Sequence, residues 1–150
     1  MRVYLDSCTL IDATEGADTR ADLLQALFVS GRRNGGRFVT SERSMAEVMV
    51  KPLKDGNRLL MSAYLMLLSN DPGAQIEVEA VDRHILAQAA FERARSPGLK
   101  LPDAIHLATA GRAACTHLVT RDARLLPAAR LPVVFGDEQG LRAFMDALPQ

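Results

Sequence analysis

Arg2-Val3-Tyr4-Leu5 is an apolar run with no polar alternation, the pattern of a strand buried on both faces, and it ends in Asp6. Residues 7–15 read as a short helix closed by Gly16. Residues 19–31 read as a second helix, with Leu23, Leu24, Leu27 and Phe28 on one stripe. A turn over Arg32 to Gly36 leads into a strand at 37–40. Ser41 then caps a helix over 42–50, which Pro52 is expected to stop. Asp55-Gly56 breaks the chain ahead of a strongly apolar helix at 57–69, which Asn70-Asp71-Pro72-Gly73 ends. Residues 75–79 alternate like a half-exposed strand. Asp82 caps a helix to about Arg95, which Ser96-Pro97-Gly98 closes. The remaining pattern predicts a helix from Leu101 to about Ala110, a strand at 117–120, a helical turn at 123–126, a strand at 131–135 and a last helix over 137–148.

Strands separated by helices imply right-handed crossovers and a mainly parallel sheet with helices on both faces. The expected architecture is therefore a three-layer α/β/α sandwich in one domain spanning residues 1–150. No internal repeat or linker interrupts it. In such sheets ligands bind beyond the carboxyl ends of the strands. Two predicted strands lead directly to acids there, Asp6 after Leu5 and Asp122 after Thr120-Arg121.

Composition narrows the choice of partner. Hydrophobic residues make up 48%, as in a compact globular chain, and net charge is zero, so any nucleic-acid site must be a local patch. Cys8 and Cys115 are too few for a disulfide framework or zinc cluster, which suits a reduced, cytoplasmic protein. No secretory signal is evident, and the longest apolar run, residues 63–68, is too short to span a bilayer, so no membrane association is expected.

The acids carry the candidate chemistry. Asp103 sits in the first turn of an otherwise small and apolar helix, Leu101-Pro102-Asp103-Ala104-Ile105-His106-Leu107-Ala108-Thr109-Ala110, with no Lys or Arg before Gly111. Its charge partner must come from elsewhere in the fold or be a metal ion. Each acid also has a purely structural reading. Asp6 and Asp122 can cap helices, and Asp103 can complement a helix dipole. Glu47 is the weakest by pattern, lying with Arg43 and Ser44 on the polar side of its helix. Several carboxylates converging at one sheet edge cannot all stay ionised without a cation. Oxygen ligands without His or Cys clusters favour Mg²⁺ or Mn²⁺ over zinc.

At these residues the chain resembles the PIN domain family, and within it the toxin ribonucleases of the VapC type. Four motifs carry the resemblance, in the family's order. They are Tyr4-Leu5-Asp6-Ser7; Ser41 to Glu47 with Val48, followed by Lys51-Pro52-Leu53; Leu101-Pro102-Asp103-Ala104-Ile105-His106; and Val119-Thr120-Arg121-Asp122. The match covers about residues 2–135. It implies a metal-dependent endoribonuclease with Asp6, Glu47, Asp103 and Asp122 as catalytic, metal-site acids holding Mg²⁺ or Mn²⁺. It also implies an RNA substrate and a small antitoxin partner, and leaves a homodimer open. Ser7, Thr120, Arg121 and His106 stand where further contacts to ligands or substrate would arise, although a His in the position of His106 is more often a packed, hydrogen-bonded residue. Two positions depart from the family pattern: Cys8 replaces a common Asn, Ser or Thr, and Arg121 replaces a common Asn. Arg121 is expected to offer a phosphate contact, and Arg43, Lys51, Lys54 and Arg124 could line the same groove. An antitoxin could lie against the Leu23, Leu27 and Phe28 stripe or the helix spanning Leu59 to Leu68. The rival readings are a non-catalytic PIN-like module that binds RNA or protein, and a solitary PIN nuclease without an antitoxin. Aspartyl phosphotransfer is disfavoured, because Cys8 occupies the place of the second Asp it would need.

Overall fold

The computed structural model describes residues 1–71 and 73–148. Five strands form one sheet: β1 (Arg2–Leu5), β2 (Arg37–Ser41), β3 (Ile76–Glu79), β4 (His117–Thr120) and β5 (Val133–Phe135). They lie in the order β3-β2-β1-β4-β5, and every neighbouring pair is parallel. The chain winds outward from β1 through β2 to β3, then returns to the other side of β1 for β4 and β5. The direction of winding therefore reverses between β1 and β4, and a crevice is expected beyond their carboxyl ends.

Eight helices flank the sheet. They are α1 (Ser7–Glu15), α2 (Thr19–Arg33), α3 (Glu42–Val48), α4 (Val50–Asp55), α5 (Arg58–Leu67), α6 (Arg83–Arg95), α7 (Leu101–Arg112) and α8 (Glu138–Asp146), with a 3-10 turn at Ala123–Leu125. The pleat of β1 divides the core. Val3 and Leu5 face the layer that holds Leu10, Leu24, Leu27, Phe28 and Phe144. Tyr4 faces the other layer, formed by α6 and α7 with Ile85, Ala89, Ala104 and Ala108. This is the three-layer α/β/α arrangement the pattern implies.

Several boundaries differ from expectation. Pro52 does not stop a helix but sits in the first turn of α4, where its missing N–H leaves no bond unmade. The break falls earlier, at Met49, which ends α3 and precedes α4. Ser41 occupies the position before α3, yet its side chain makes no capping bond. α2 runs two residues past Gly31, and β5 begins only at Val133. Asp82 caps α6 through its side chain as expected, and Asn57, expected as the first helical residue, instead caps α5. Pro72, one of the residues expected to end α5, lies outside the described residues.

The apolar stripe of α2 is core, not a free surface. Leu27 and Phe28 are buried, and Phe28 meets Phe38 of β2 edge to face at 4.9 Å. Gly31, one turn on, lets β2 approach: a Cβ there would stand 2.6 Å from the Phe38 ring. In an open helix Gly→Ala would gain up to about 1 kcal/mol. Here the fully buried Phe38 ring cannot swing away, so the clash decides the sign. Gly31→Ala is expected to lower unfolding free energy by about 1–3 kcal/mol, the usual penalty of an overpacked core. Urea denaturation checks this, and a stabilised variant would contradict the packing.

Candidate active site at the carboxyl edge of the sheet

Asp6 follows β1 directly and caps α1. Its extended backbone turns the carboxylate back over the helix start. Oδ1 accepts from the Thr9 backbone N–H at 2.8 Å and from Thr9 Oγ1 at 2.7 Å. Oδ2 accepts from Thr120 Oγ1, at the end of β4. The residue is only 3% exposed, and among the described residues no Lys, Arg or His pairs with it. Asp6 is thus a capping residue, as its structural reading proposed, and also a buried carboxylate held by neutral donors alone.

Thr120 ties the second acid to the first. Its Oγ1 accepts the backbone N–H of Asp122 at 2.9 Å while donating to Asp6. The Asp122 carboxylate caps the 3-10 turn through the Arg124 N–H at 2.9 Å. It also takes the Arg124 guanidinium, with Nε at 2.8 and 3.0 Å from its two oxygens. The Arg124 side-chain hydrogen bonds hold the Asp122 carboxyl below the usual range.

Asp103 has no such help. It lies half-buried in the first turn of α7 and makes no hydrogen bond or ion pair among the described residues. Burial, and then the charge of Asp122, push its carboxyl above the ordinary value. The nearby Arg124, His106 and Arg43 side chains only partly offset this.

Glu47 completes the group from α3. The side of this helix carrying Arg43, Ser44 and Glu47 faces inward, while Ala46 is exposed, so the polar face reads onto the site rather than into solvent. Glu47 Oε1 pairs with Arg43 at 2.8 Å. Oε2 accepts from Ser7 Oγ and lies 3.1 Å from His106 Nε2. Burial raises the Glu47 carboxyl, but the hydrogen bonds from His106 and Ser7, with the Arg43 charge, outweigh it and leave it below the usual range. His106 is 4% exposed, and its Nδ1 lies 2.8 Å from the Tyr4 hydroxyl.

The fold therefore gathers all four acids at one sheet edge. Asp6 and Asp122 share Thr120, Asp103 feels the charge of Asp122, and Glu47 bonds the neighbour of Asp6. Hard oxygen donors with an uncompensated carboxylate among them suit a divalent cation by chemistry. In the present side-chain arrangement, however, no three His, Cys, Asp or Glu among the described residues stand close enough to enclose one. Arg124 occupies Asp122, and Arg43 occupies Glu47.

The basic residues expected to line a phosphate groove are mostly engaged. Arg121 turns to Asp12, with Nε 2.6 Å from Oδ2 and its terminal nitrogen 2.9 Å from Oδ1. Lys51 pairs with Glu15. Cys8 is exposed, but burial of its thiol, and then the charge of Asp6, raise its pKa, which disfavours a thiolate nucleophile. Tyr4, Thr9 and Asp12 are site neighbours that the sequence reading missed. Only Thr9 left a signal, three residues after a capping Asp. A cavity of ≈ 510 Å³ lies at the far end of α7, against Leu107, Ala108, Arg112 and Cys115, away from the acids. A shallower one, ≈ 440 Å³, opens beside Arg43 and Pro102. No described helix is long and apolar enough to cross a membrane.

The apolar helix α5 is not deeply buried. Leu59 is 86% and Met66 77% exposed, and with Leu65, Val50 and Leu53 they leave a bare apolar surface on α4 and α5.

Comparison with known proteins agrees with this fold. A family model described as "PIN domain" matches residues 3–131. No curated protein matches the chain. Among solved structures, a toxin–antitoxin complex from Klebsiella pneumoniae is similar at 27% identity, covering 91% of this chain and 98% of that one, with TM-score 0.64. VapC20 of Mycobacterium tuberculosis, described as a sarcin-ricin loop cleaving toxin, has the same fold at 19% identity, covering 84% and 94%, with TM-score 0.65. FitAcB of Neisseria gonorrhoeae shares it at 16% identity, covering 89% and 97%, with TM-score 0.66.

The raised Asp103 carboxyl has a consequence for stability. Its ionised form is disfavoured in the folded state, so it subtracts stability at neutral pH. That penalty fades as pH falls through the raised folded value toward the ordinary 3.8. Without metal, Asp103→Asn is expected to raise the thermal midpoint at pH 7, and the gain should shrink on acidification toward about pH 4. Thermal scans across that range check it. An equal gain at every pH would show that the carboxylate charge is not the cause.

Proposed function

Since the chain belongs to the PIN domain family, we propose that it is a metal-dependent endoribonuclease and the toxin of a toxin–antitoxin pair, acting in the cytoplasm. The observation that carries the reading is the set of acids at the β1–β4 switch point, where Thr120 bonds the Asp6 carboxylate and the Asp122 backbone N–H and Asp103 has no hydrogen-bond or ion-pair partner among the described residues. Asp6, Asp103 and Asp122 would hold Mg²⁺ or Mn²⁺, with Glu47 at the rim. When bound, the cation supplies Lewis-acid charge at the scissile phosphodiester and makes an attacking water more acidic. Thr120 keeps Asp6 and Asp122 in fixed relation. Ser7 and His106 aim Glu47 into the same space. Arg43 and Arg124 supply positive charge beside the acids, where an RNA phosphate would enter. The non-catalytic alternative would be supported by loss of one of the acids, and all four are present.

A defined RNA pool incubated with and without Mg²⁺ or Mn²⁺ tests the reading. Internal cleavage should require the metal. Asp6→Asn should lose more than about 100-fold, since even groups that only orient metal ligands cost 10–100-fold. Equal cleavage by wild type and Asp6→Asn, in preparations free of other nucleases, would rule out the catalytic role.

The Klebsiella neighbour was solved as a toxin–antitoxin complex, and we place an antitoxin on the exposed apolar surface of α4 and α5. Leu27 and Phe28, already in the core, are not available to it. An amphipathic segment would cover Leu59, Leu65 and Met66. A basic side chain from it, preferably Arg, would reach the carboxylates and block RNA. Co-expression with the neighbouring open reading frame should yield an inactive complex, and Met66→Glu should weaken it at least tenfold, about 1.4 kcal/mol. A stable complex that cleaves as fast as free protein would contradict the mechanism.

A further inference from the structure

We propose that His106 is a positioning residue for Glu47, fixed in one tautomer by Tyr4 from inside the sheet. The inference rests on the endoribonuclease reading for its kinetic consequence, and on hydrogen-bond geometry for its existence.

A carboxylate offers only acceptors, so the 3.1 Å contact between His106 Nε2 and Glu47 Oε2 requires the proton on Nε2. In a neutral imidazole that leaves a lone pair on Nδ1. The Tyr4 hydroxyl lies 2.8 Å from Nδ1 and donates to it. Every donor in the chain Tyr4–His106–Glu47 then meets one acceptor. The edge-to-face contact of the two rings, with centroids 5.8 Å apart, fixes the plane of the imidazole. Tyr4 and His106 are both buried, so water cannot replace the bond between them.

The origin of each group shows what the chain can do. Tyr4 lies two residues before Asp6, on β1. His106 lies three residues after Asp103, on α7. Glu47 comes from α3 and is the more solvent-open member, with its other oxygen drawn to Arg43. The elements that carry Asp6 and Asp103 thus also clamp the carboxylate that the third element brings. Fold stability does not demand this, since replacing both partners of a buried hydrogen bond by apolar groups of the same shape is often nearly neutral. What only the polar chain provides is a fixed direction for the Glu47 carboxylate, as hydrogen-bonded supports do for acids in metal sites.

The test compares the full chain as wild type, Tyr4→Phe, His106→Leu and His106→Gln, each with and without Glu47→Gln. Three quantities are measured: Mn²⁺-dependent cleavage of one RNA oligonucleotide, the thermal midpoint, and the imidazole proton and nitrogen-15 spectrum without metal. His106→Leu should lower kcat about 10–100-fold, with KM little changed. His106→Gln can donate from nearly the same place as Nε2 and should recover most of the loss. Tyr4→Phe keeps the packing and should lower kcat in the same direction. In the Glu47→Gln background, His106→Leu should cost under about threefold, because a residue acting through Glu47 then has nothing to position. The spectrum should show the Nε2–H tautomer, with that proton shifted by Glu47→Gln. Equal losses in both backgrounds would make His106 merely structural and overturn the proposal. So would unchanged kcat in both His106→Leu and Tyr4→Phe, or an Nδ1–H tautomer. Wild type inactive on RNA would instead defeat the nuclease reading, and the spectrum would still decide whether the chain of bonds exists.

Discussion

A buried carboxylate with no cation paired to it among the described residues is the constraint around which this site is arranged. Asp6 ends the central strand, where the reversal of winding opens a crevice, and it is nearly inaccessible to water. Burying such a charge is costly unless donors satisfy it. Here the local fold provides them: the first turn of α1 turns Thr9 toward one oxygen, and the end of β4 turns Thr120 toward the other. The register of β1 against β4, which sets Leu5 beside Val119, is what brings Thr120 into reach. A slip of one residue would send Thr120 to the other face of the sheet. The structural use of Asp6 as a cap and its proposed use as a site acid therefore rest on the same geometry.

The other three acids meet the same problem differently. Asp122 leans on an exposed Arg124, and Glu47 on Arg43, His106 and Ser7. Asp103 makes no hydrogen bond or ion pair among the described residues, and its carboxyl is raised accordingly. A site whose acids were all fully paired would have little use for a cation. One whose acids were all unpaired would be hard to fold without one. This arrangement lies between, with the unmet charge concentrated at Asp103 and an exchangeable partner on Asp122.

The fold was largely legible because its signals are local. The run at β1, the cap at Asp82, and the glycines after α1 and α4 act over a few residues, and all lie where the pattern puts them. Pro52 misled because proline reads as a stop only when the helix is already under way. Moving the break three residues earlier turns the same residue into a helix start. The site was legible in its acids, through their strand-end positions and the motif order, and not in their partners. The Tyr4–His106 contact joins residues 102 apart, and Arg121–Asp12 joins residues 109 apart. No spacing along the chain encodes either. Glu47 shows the limit most clearly: helical periodicity identifies a polar face, but only the packing of α3 against α7 says whether that face meets water or other acids.

Net charge of zero and the proposed site for a polyanion are reconciled by the same pairing. Around the carboxyl edge, Arg43, Lys51, Arg121 and Arg124 each hold an acid of this chain. These pairs differ in how readily they can change partners. Arg121 grips Asp12 through two nitrogens, and Asp12 is partly buried with only Arg20 at 3.9 Å as a further cation among the described residues, so breaking that pair would leave a partly buried carboxylate less well paired. Arg124 is well exposed and its acid is one of the site's own, so a cation arriving at Asp122 would free it without leaving a carboxylate unpaired. On the proposed reading, positive charge for RNA phosphates then becomes available at Arg124 as the acids are neutralised, while Arg121 stays a structural tie between β4 and α1. Charge complementarity to RNA would thus be a property of the loaded site rather than of the chain's overall composition.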